Sequence, residues 1–359
     1  MNQLAERLAA DTLALIDIPS ESRDEAAILD HLRDRITAAS GLMTVQDRGG
    51  VLAVLPERRP SVPMVLLAGH VDTVPIAGAA APGRRDDDAI VGRGAADMKG
   101  ALAVMLALAE GAASSETVDV GYLFFAREEI PITESALLPA LDGTPVLREA
   151  ALAIVMEPTA NELEVGCNGN LSALVTVRGR AAHSARPWLG DNAIHAAIEA
   201  LAPLADLPIR DVDVDGLVFR EVVSVTTIEG GVAGNVVPDR VDARVNYRYA
   251  PSQRPEHAEA RLRELLGHHR VELTVVGNGP PGPVCLGNPL VTRLRAAGLE
   301  VRPKQAWTPV AEFAMAGVDA VNLGPGDPRY AHSDDEQVTV GALLRTHEIV
   351  SAFLAGTEV

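Results

Sequence analysis

Three runs of strand length are apolar at nearly every position: 64–68 (MVLLA), 118–126 (VDVGYLFFA) and 151–156 (ALAIVM). A strand with one face in water alternates apolar and polar side chains, because successive side chains point to opposite faces. Strands without that alternation need cover on both faces, and the usual cover is helices that alternate with them along the chain. The rest of the chain supplies such helices. The N-terminal segment puts Leu4, Leu8, Leu15 and Ile16 roughly on one face, and a second helix is expected over about 25–39. DMKGALAVMLALAEGAA (97–113) reads as an Ala/Leu-rich helix, and 51–55 as a further short strand. A sheet covered on both sides, of the α/β class, is the expectation.

The pattern changes near residue 171. LSALVTVRGRAAH (171–183) alternates like a half-exposed strand, and the helix DNAIHAAIEALAPLA (191–205) follows. Then come EVVSVTTIEGG (221–231), DRVDARVNYRY (239–249), the helix PEHAEARLRELLGHH (255–269) and VELTVVG (271–277). Strand, helix, strand, strand, helix, strand is the ferredoxin-like order. GNGPPGP (277–283) makes an exit linker, after which NPLVTRLRAAGL (288–299), VAEFAMAG, DAVNLGPG and a final helix return to the first style. At 359 residues the chain exceeds one ordinary core. The expected organisation is a first domain over 1–171 and 285–359, interrupted by a smaller α+β domain over 172–284.

Composition excludes several classes of function. Hydrophobic residues make up 47% of the chain, too many for wholesale disorder, and only 3% are aromatic, so Ala, Val and Leu must build the core. A formal charge of −18 with no basic stripe repels a phosphate backbone, which argues against nucleic acid as a partner. Two cysteines, Cys167 and Cys285, cannot make a disulfide scaffold and read as small buried residues of a reduced protein. No stretch approaches 18 uncharged apolar residues, and the N-terminus lacks a signal-like apolar region. The expected location is the cytoplasm, with no membrane partner.

Chemistry gathers where the apolar runs end. The 64–68 run leads to His70 and Asp72, the 118–126 run to Glu128 and Glu129, and the 151–156 run to Glu157. In an open α/β sheet, the carboxyl ends of the strands are where ligands bind. Asp97 stands just before the Ala-rich helix, and His332 between the last strand and the last helix. Singly, each has an ordinary reading: Asp97 as a helix N-cap, the glutamates as solvated strand exits, His332 as a loop residue. Together, five carboxylates and two histidines at one edge would repel one another and shift their proton affinities unless cations sat among them. His with carboxylates suits zinc, and a bridging aspartate suits two metals roughly 3.5–4 Å apart.

These residues lie in GHVDTVP, GRGAADMKG, AREE, MEPT and AHSDDE, and the five segments, in order along the chain, resemble the motifs of the acetylornithine deacetylase/succinyl-diaminopimelate desuccinylase family. That family, with its aminoacylase and carboxypeptidase relatives, consists of co-catalytic zinc hydrolases. The resemblance implies a zinc-peptidase-like catalytic domain, a mixed sheet flanked by helices, interrupted by a ferredoxin-like dimerisation domain. It implies two Zn2+ per subunit, replaceable by Co2+ or Mn2+. His70 and Glu157 would hold one, Glu129 and His332 the other, with Asp97 bridging. Asp72 would orient His70 through its other ring nitrogen, and Glu128 would carry a proton from the attacking water to the leaving amine. GRAAHSARP matches the segment whose histidine, here His183, reaches the partner subunit's site to stabilise the oxyanion. GGVAGNVVPD offers Asn235 and VNYRY offers Arg248, whose fork suits a substrate carboxylate.

Two departures stand out. Most relatives continue with Gly-rich sequence after AREE, whereas IPITESALLPAL follows here, and the usual Ser before DMKG is Ala. Within the family, the 167–195 segment and WTPVAEFAMAGVDAVNLGPGDPRYAH are similar to the actinobacterial type of desuccinylase, with Thr308 and Gly324 in loops facing substrate. The activity this implies is hydrolysis of N-succinyl-LL-2,6-diaminopimelate to succinate and LL-diaminopimelate by a homodimer acting on a small N-acyl amino acid. An acetylornithine deacetylase, another deacylase or a dipeptidase of the same family is the alternative. A non-catalytic metal or small-acid sensor would have lost Glu128 or a ligand, and none is lost. No G-x-S-x-G elbow occurs to suggest a serine hydrolase.

Overall fold

The computed structural model describes residues 3–38, 41–75, 82–111, 115–267, 269–296 and 298–357. Ala39, Ala112, Ala113 and His268, which fall within expected helices, lie outside the described residues. The chain forms two compact units. One comprises 1–166, 285–302 and 308–359; the other comprises 167–284 and 303–307.

The first unit is built on an eight-stranded mixed sheet. Met64–His70 and Asp119–Phe125 lie side by side at its centre, and every residue of both is buried, as their lack of alternation requires. Leu152–Val155 pairs in parallel with Met64–His70, and Ala320–Asn322 in parallel with Leu152–Val155. Val51–Pro56 pairs antiparallel with Asp119–Phe125, and Leu42–Asp47 antiparallel with Val51–Pro56, which makes the sheet mixed. Leu42–Asp47 is a half-exposed edge strand that carries no apolar run, so nothing in its sequence marks it as a strand. The helix Gly100–Glu110 is buried over its first ten residues, so its Ala/Leu composition on all sides matches a site inside the core. Gln3–Ile16 and Val340–Ala355 pack against it. A small three-stranded sheet joins Gln337–Thr339, Ala89–Val91 and Arg84–Asp86.

The second unit is a five-stranded antiparallel sheet in the order Arg210–Val214, Leu217–Gly230, Arg240–Tyr249, Gly169–Arg178, Val271–Gly279. Along Arg240–Tyr249 buried and less buried positions alternate strictly, and Val241, Ala243, Val245, Tyr247 and Tyr249 form one side. Those side chains make a core with Ala193–Ala205 and Pro255–Leu265, the two helices. Asn192 caps the first, its Oδ1 accepting from the N–H groups of Ile194 and His195. Arg210–Val214 and Leu217–Gly230 form a hairpin that adds one edge strand to the ferredoxin-like order.

Candidate active site

Parallel pairing decides where the chemistry lies. Met64–His70, Asp119–Phe125, Leu152–Val155 and Ala320–Asn322 all run the same way, so their carboxyl ends open on one edge of the sheet. Register sets His70 opposite Phe125, Ala68 opposite Val155 and Val155 opposite Asn322. His70 ends its strand, Glu128 and Glu129 follow Phe125, and Glu157 follows Val155. His332 arrives on the loop after Ala320–Asn322, and Asp97 on the turn before the buried helix. That turn contains a cis Asp97–Met98 peptide, and Asp97 does not cap the helix: no side-chain cap bond forms there.

The seven residues expected at this edge come together. His70 Nε2 lies 2.9 Å from Asp97 Oδ1 and 3.7 Å from Glu157 Oε1. His332 Nε2 lies 3.0 Å from Glu129 Oε1 and 3.4 Å from Asp97 Oδ2. Asp97 thus turns one oxygen toward each histidine. His70, Asp97 and Glu157 form one group able to hold a cation, and Asp97, Glu129 and His332 another, each with ligand atoms within 4.8 Å of one another. His70, Glu128 and Glu129 make a third, overlapping group. Imidazole nitrogen and carboxylate oxygen are the donors a borderline divalent cation such as zinc takes.

Asp72 does more than the sequence suggested. His70 Nδ1 lies 3.0 Å from the backbone carbonyl of Asp72, and 3.6 Å from its carboxylate. The carboxylate itself accepts from the N–H groups of Glu128 at 3.0 Å and Glu129 at 3.1 Å, and from the Ser22 hydroxyl at 2.7 Å. One buried aspartate therefore fixes both the histidine and the turn that carries the two glutamates. Arg127, just before that turn, and His332 both adopt left-handed backbone, with φ of 65° and 64°; this is uncommon for residues with a side chain and frequent at functional sites.

Electrostatics follow from crowding acids around two imidazoles. Burial pushes the Glu128 carboxyl well above the usual range, and Glu157, Glu129 and Asp97 push it further, against the opposing pull of His70. Burial would lower the His70 imidazole, yet hydrogen bonds to Asp72 and Asp97 hold it well above its ordinary value. His332 is pushed up to about 10 by hydrogen bonds to Asp97 and Glu129. Burial would raise Asp97, but hydrogen bonds to His332 and His70 hold it below the carboxylate range. The protein groups by themselves thus hold protons where cations would carry the compensating charge.

Gly324 and Gly326 frame the cluster. A Cβ at Gly324 would sit 2.3 Å from the Met156 carbonyl oxygen and 2.4 Å from that of Glu157; one at Gly326 would sit 2.2 Å from the Ala96 oxygen, beside Asp97. Only glycine lets this loop lie against both the turn of Glu157 and that of Asp97. Gly324 also binds that turn through its N–H, which donates to Thr159 Oγ1 at 3.0 Å. Thr308 is buried at the start of the Val310–Met315 helix. In the second unit, Ala182–His183 pairs with Val236–Val237, and the Ser184 N–H donates to the Asn235 carbonyl at 2.9 Å, so His183 and Asn235 are neighbours. Arg248 lies half-buried on the adjoining sheet, its Nε donating to Asn246 Oδ1 at 3.0 Å. Ser22, Gly326 and Glu336 were not singled out from the sequence. Glu336 closes the AHSDDE segment, which was the available signal.

An α/β sheet with histidines and carboxylates converging at its carboxyl edge defines a metal-dependent hydrolase. The chain belongs to peptidase family M20/M25/M40, which it matches over residues 66–356. It is 42% identical over 347 residues to the putative succinyl-diaminopimelate desuccinylase DapE of Mycobacterium tuberculosis, an alignment covering 96% of this chain and 97% of that one. It is 37% identical over 357 residues to the succinyl-diaminopimelate desuccinylase of Corynebacterium glutamicum, covering 96% and 95%. A solved M20 family metallo-carboxypeptidase from Sulfolobus solfataricus has the same fold, with a TM-score of 0.77, 19% identity and 99% of each chain covered.

Proposed function

We propose that this protein is a di-zinc amidohydrolase that removes the succinyl group from N-succinyl-LL-2,6-diaminopimelate, a step of lysine and cell-wall precursor synthesis. The observation that carries the metal chemistry is Asp97, whose two carboxylate oxygens face two different histidines at 2.9 and 3.4 Å. His70 and Glu157 would complete one site, and Glu129 and His332 the other. When bound, two cations would polarise the scissile carbonyl and make a water acidic enough to attack it. Co2+ or Mn2+ could fill the same donor set. The desuccinylase names of relatives at 42% and 37% identity support the choice of substrate.

Glu128 would take the proton of the attacking water and deliver it to the leaving amine. The Asp72 carboxylate, by binding the N–H groups of both glutamates, keeps Glu128 and Glu129 in their separate duties. The Ala185 N–H lies 3.0 Å from His183 Nδ1, so a neutral His183 ring carries its own proton on Nε2, ready to donate to a developing oxyanion. In a homodimer, His183 would act in the partner subunit's site. The substrate is polyanionic and the chain carries −18, so attraction must be local, through the cations and through Arg248. Asn235, Thr308 and Gly324 are the further residues proposed to contact substrate. A cytoplasmic location fits two buried free cysteines, and no helix among the described residues is long and apolar enough to cross a membrane.

The test is amide hydrolysis by metal-reconstituted protein on N-succinyl-LL-diaminopimelate, N-acetylornithine and simple N-acyl amino acids, each beside Glu128→Ala. Preference for the succinyl compound, with turnover lowered roughly 10²–10⁴-fold in the variant, is the expected result. Preference for another acyl group would keep the metal chemistry and overturn the substrate. Two bound metals with no hydrolysis of any substrate would point to a sensor.

A further inference from the structure

Asp97 sits on a segment whose own backbone is irregular. Asp97 (φ −127°, ψ 92°) and Met98 (φ −136°, ψ 34°) are non-helical, although a helix starts at Gly100. Something outside the segment must hold it, and the small sheet shows what does. Gln337–Thr339 pairs antiparallel with Ala89–Val91, with Gln337 opposite Val91. Glu336 therefore falls opposite Gly92, whose N–H donates to the Glu336 carbonyl at 2.9 Å. Its side chain, 2% exposed, turns onto the next few residues. Oε1 accepts from the N–H groups of Asp97 at 3.0 Å and Ala96 at 3.2 Å, and Oε2 accepts from the Arg93 guanidinium at 2.7 Å. Four residues earlier the same loop carries His332, the histidine that faces the second oxygen of Asp97.

We propose that Glu336 is a positioning residue for the metal centre: its carboxylate fixes the Asp97 backbone and ties that aspartate to the His332 loop, 235 positions away along the chain. This rests on the reading of Asp97 as the bridging ligand. The aspartate can serve two cations only if its carboxylate keeps one orientation. Two charge-assisted bonds onto consecutive amides restrain the turn from which that carboxylate projects. Arg93 neutralises the buried charge and holds Oε2, so that Oε1 stays on the amides. Glutamine at 336 would keep one oxygen for the two N–H groups but would present an amide donor to Arg93, and so should retain part of the effect. Alanine would leave both amides without that acceptor.

The experiment titrates Co2+ into the metal-stripped full-length chain, for wild type, E336A, E336Q and D97A, reading visible absorption and binding heat, with circular dichroism as the check on folding. Outer residues that hold metal ligands typically cost roughly 10- to 100-fold in affinity when removed. E336A should lose that much at one Co2+ or both, with an altered visible spectrum, and E336Q should fall between it and wild type. If E336A and E336Q bind two Co2+ with wild-type affinity and spectrum while D97A does not, the proposal is wrong and the metal reading stands, even if E336A melts earlier. If D97A also binds both normally, the bridging role fails and the proposal with it. Should E336A not fold, E336Q decides: an unchanged affinity and spectrum overturns the role.

Discussion

Replacing Gly324 by alanine adds one methyl group where the structure leaves no room. Its Cβ would sit 2.3 Å from the Met156 oxygen, whereas ordinary contact begins at 3.4 Å, a shortfall of 1.1 Å. The obstructing atoms are backbone carbonyls, so no side-chain rotation relieves the clash. Backbone conformation is not the difficulty, because Gly324 does not have a positive φ. The loop or the 156–157 segment must move. Overpacking of this kind costs typically about 1–3 kcal/mol, and for a unit of this size about 2–4 °C of Tm accompanies each kcal/mol. Glu157 belongs to the segment that would be displaced, and a displacement on the order of 1 Å at a reacting centre can cost roughly 10²-fold in rate. The assay pairs thermal unfolding with Co2+ titration and turnover. G324A should melt lower by several degrees, bind the cation proposed for His70 and Glu157 more weakly, and turn over roughly 10²-fold more slowly. Wild-type Tm and affinity for both cations would refute the claim that Gly324 is kept for its contact with the Glu157 turn. A loss of turnover with neither change would assign Gly324 to substrate contact alone.

Two further perturbations probe separate parts of the chain. Burial pushes Glu312 up to about 7, and its carboxyl is fully buried, accepting from the Leu138 N–H at 3.3 Å. Its folded value lies above the unfolded one of 4.5, so the native state holds the extra proton between them. Stability falls as pH rises through that window and levels off above 7. Glu312→Gln should therefore match wild type near pH 4.5 and exceed it by up to about 3 kcal/mol at pH 8; denaturant unfolding that shows the same difference at every pH would refute this. His183→Ala should collapse turnover while leaving metal content intact, and loss of zinc in that variant would show that His183 belongs to the metal site rather than to the oxyanion.

Most of the fold and the residues that gather at the carboxyl edge of the sheet can be read from the chain, for a local reason. An apolar run without alternation reports a strand covered on both faces, and three such strands carry His70, Glu128, Glu129 and Glu157 at or just past their ends. The edge strand Leu42–Asp47 had no such signal, because half-exposed positions carry no required pattern. Ser22 was equally silent, since a serine in a loop looks the same whether it is solvated or clamps a turn, and Glu336 had only its place at the end of AHSDDE to mark it.

The sequence by itself determined which residue types stand at the strand ends, because burial and side-chain period act between near neighbours in the chain. It also determined the motif order that marks the hydrolase family. Only the tertiary structure decided how the carboxylates divide their oxygens. Asp97 faces two histidines, Asp72 serves the turn of Glu128 and Glu129 as much as His70, and Glu336 grips Asp97. Those partners are brought together by strand pairing across as many as 239 residues. A hydrogen bond of that span leaves no periodic trace in the sequence, since it depends on where the sheet register sets two loops rather than on what surrounds either residue along the chain.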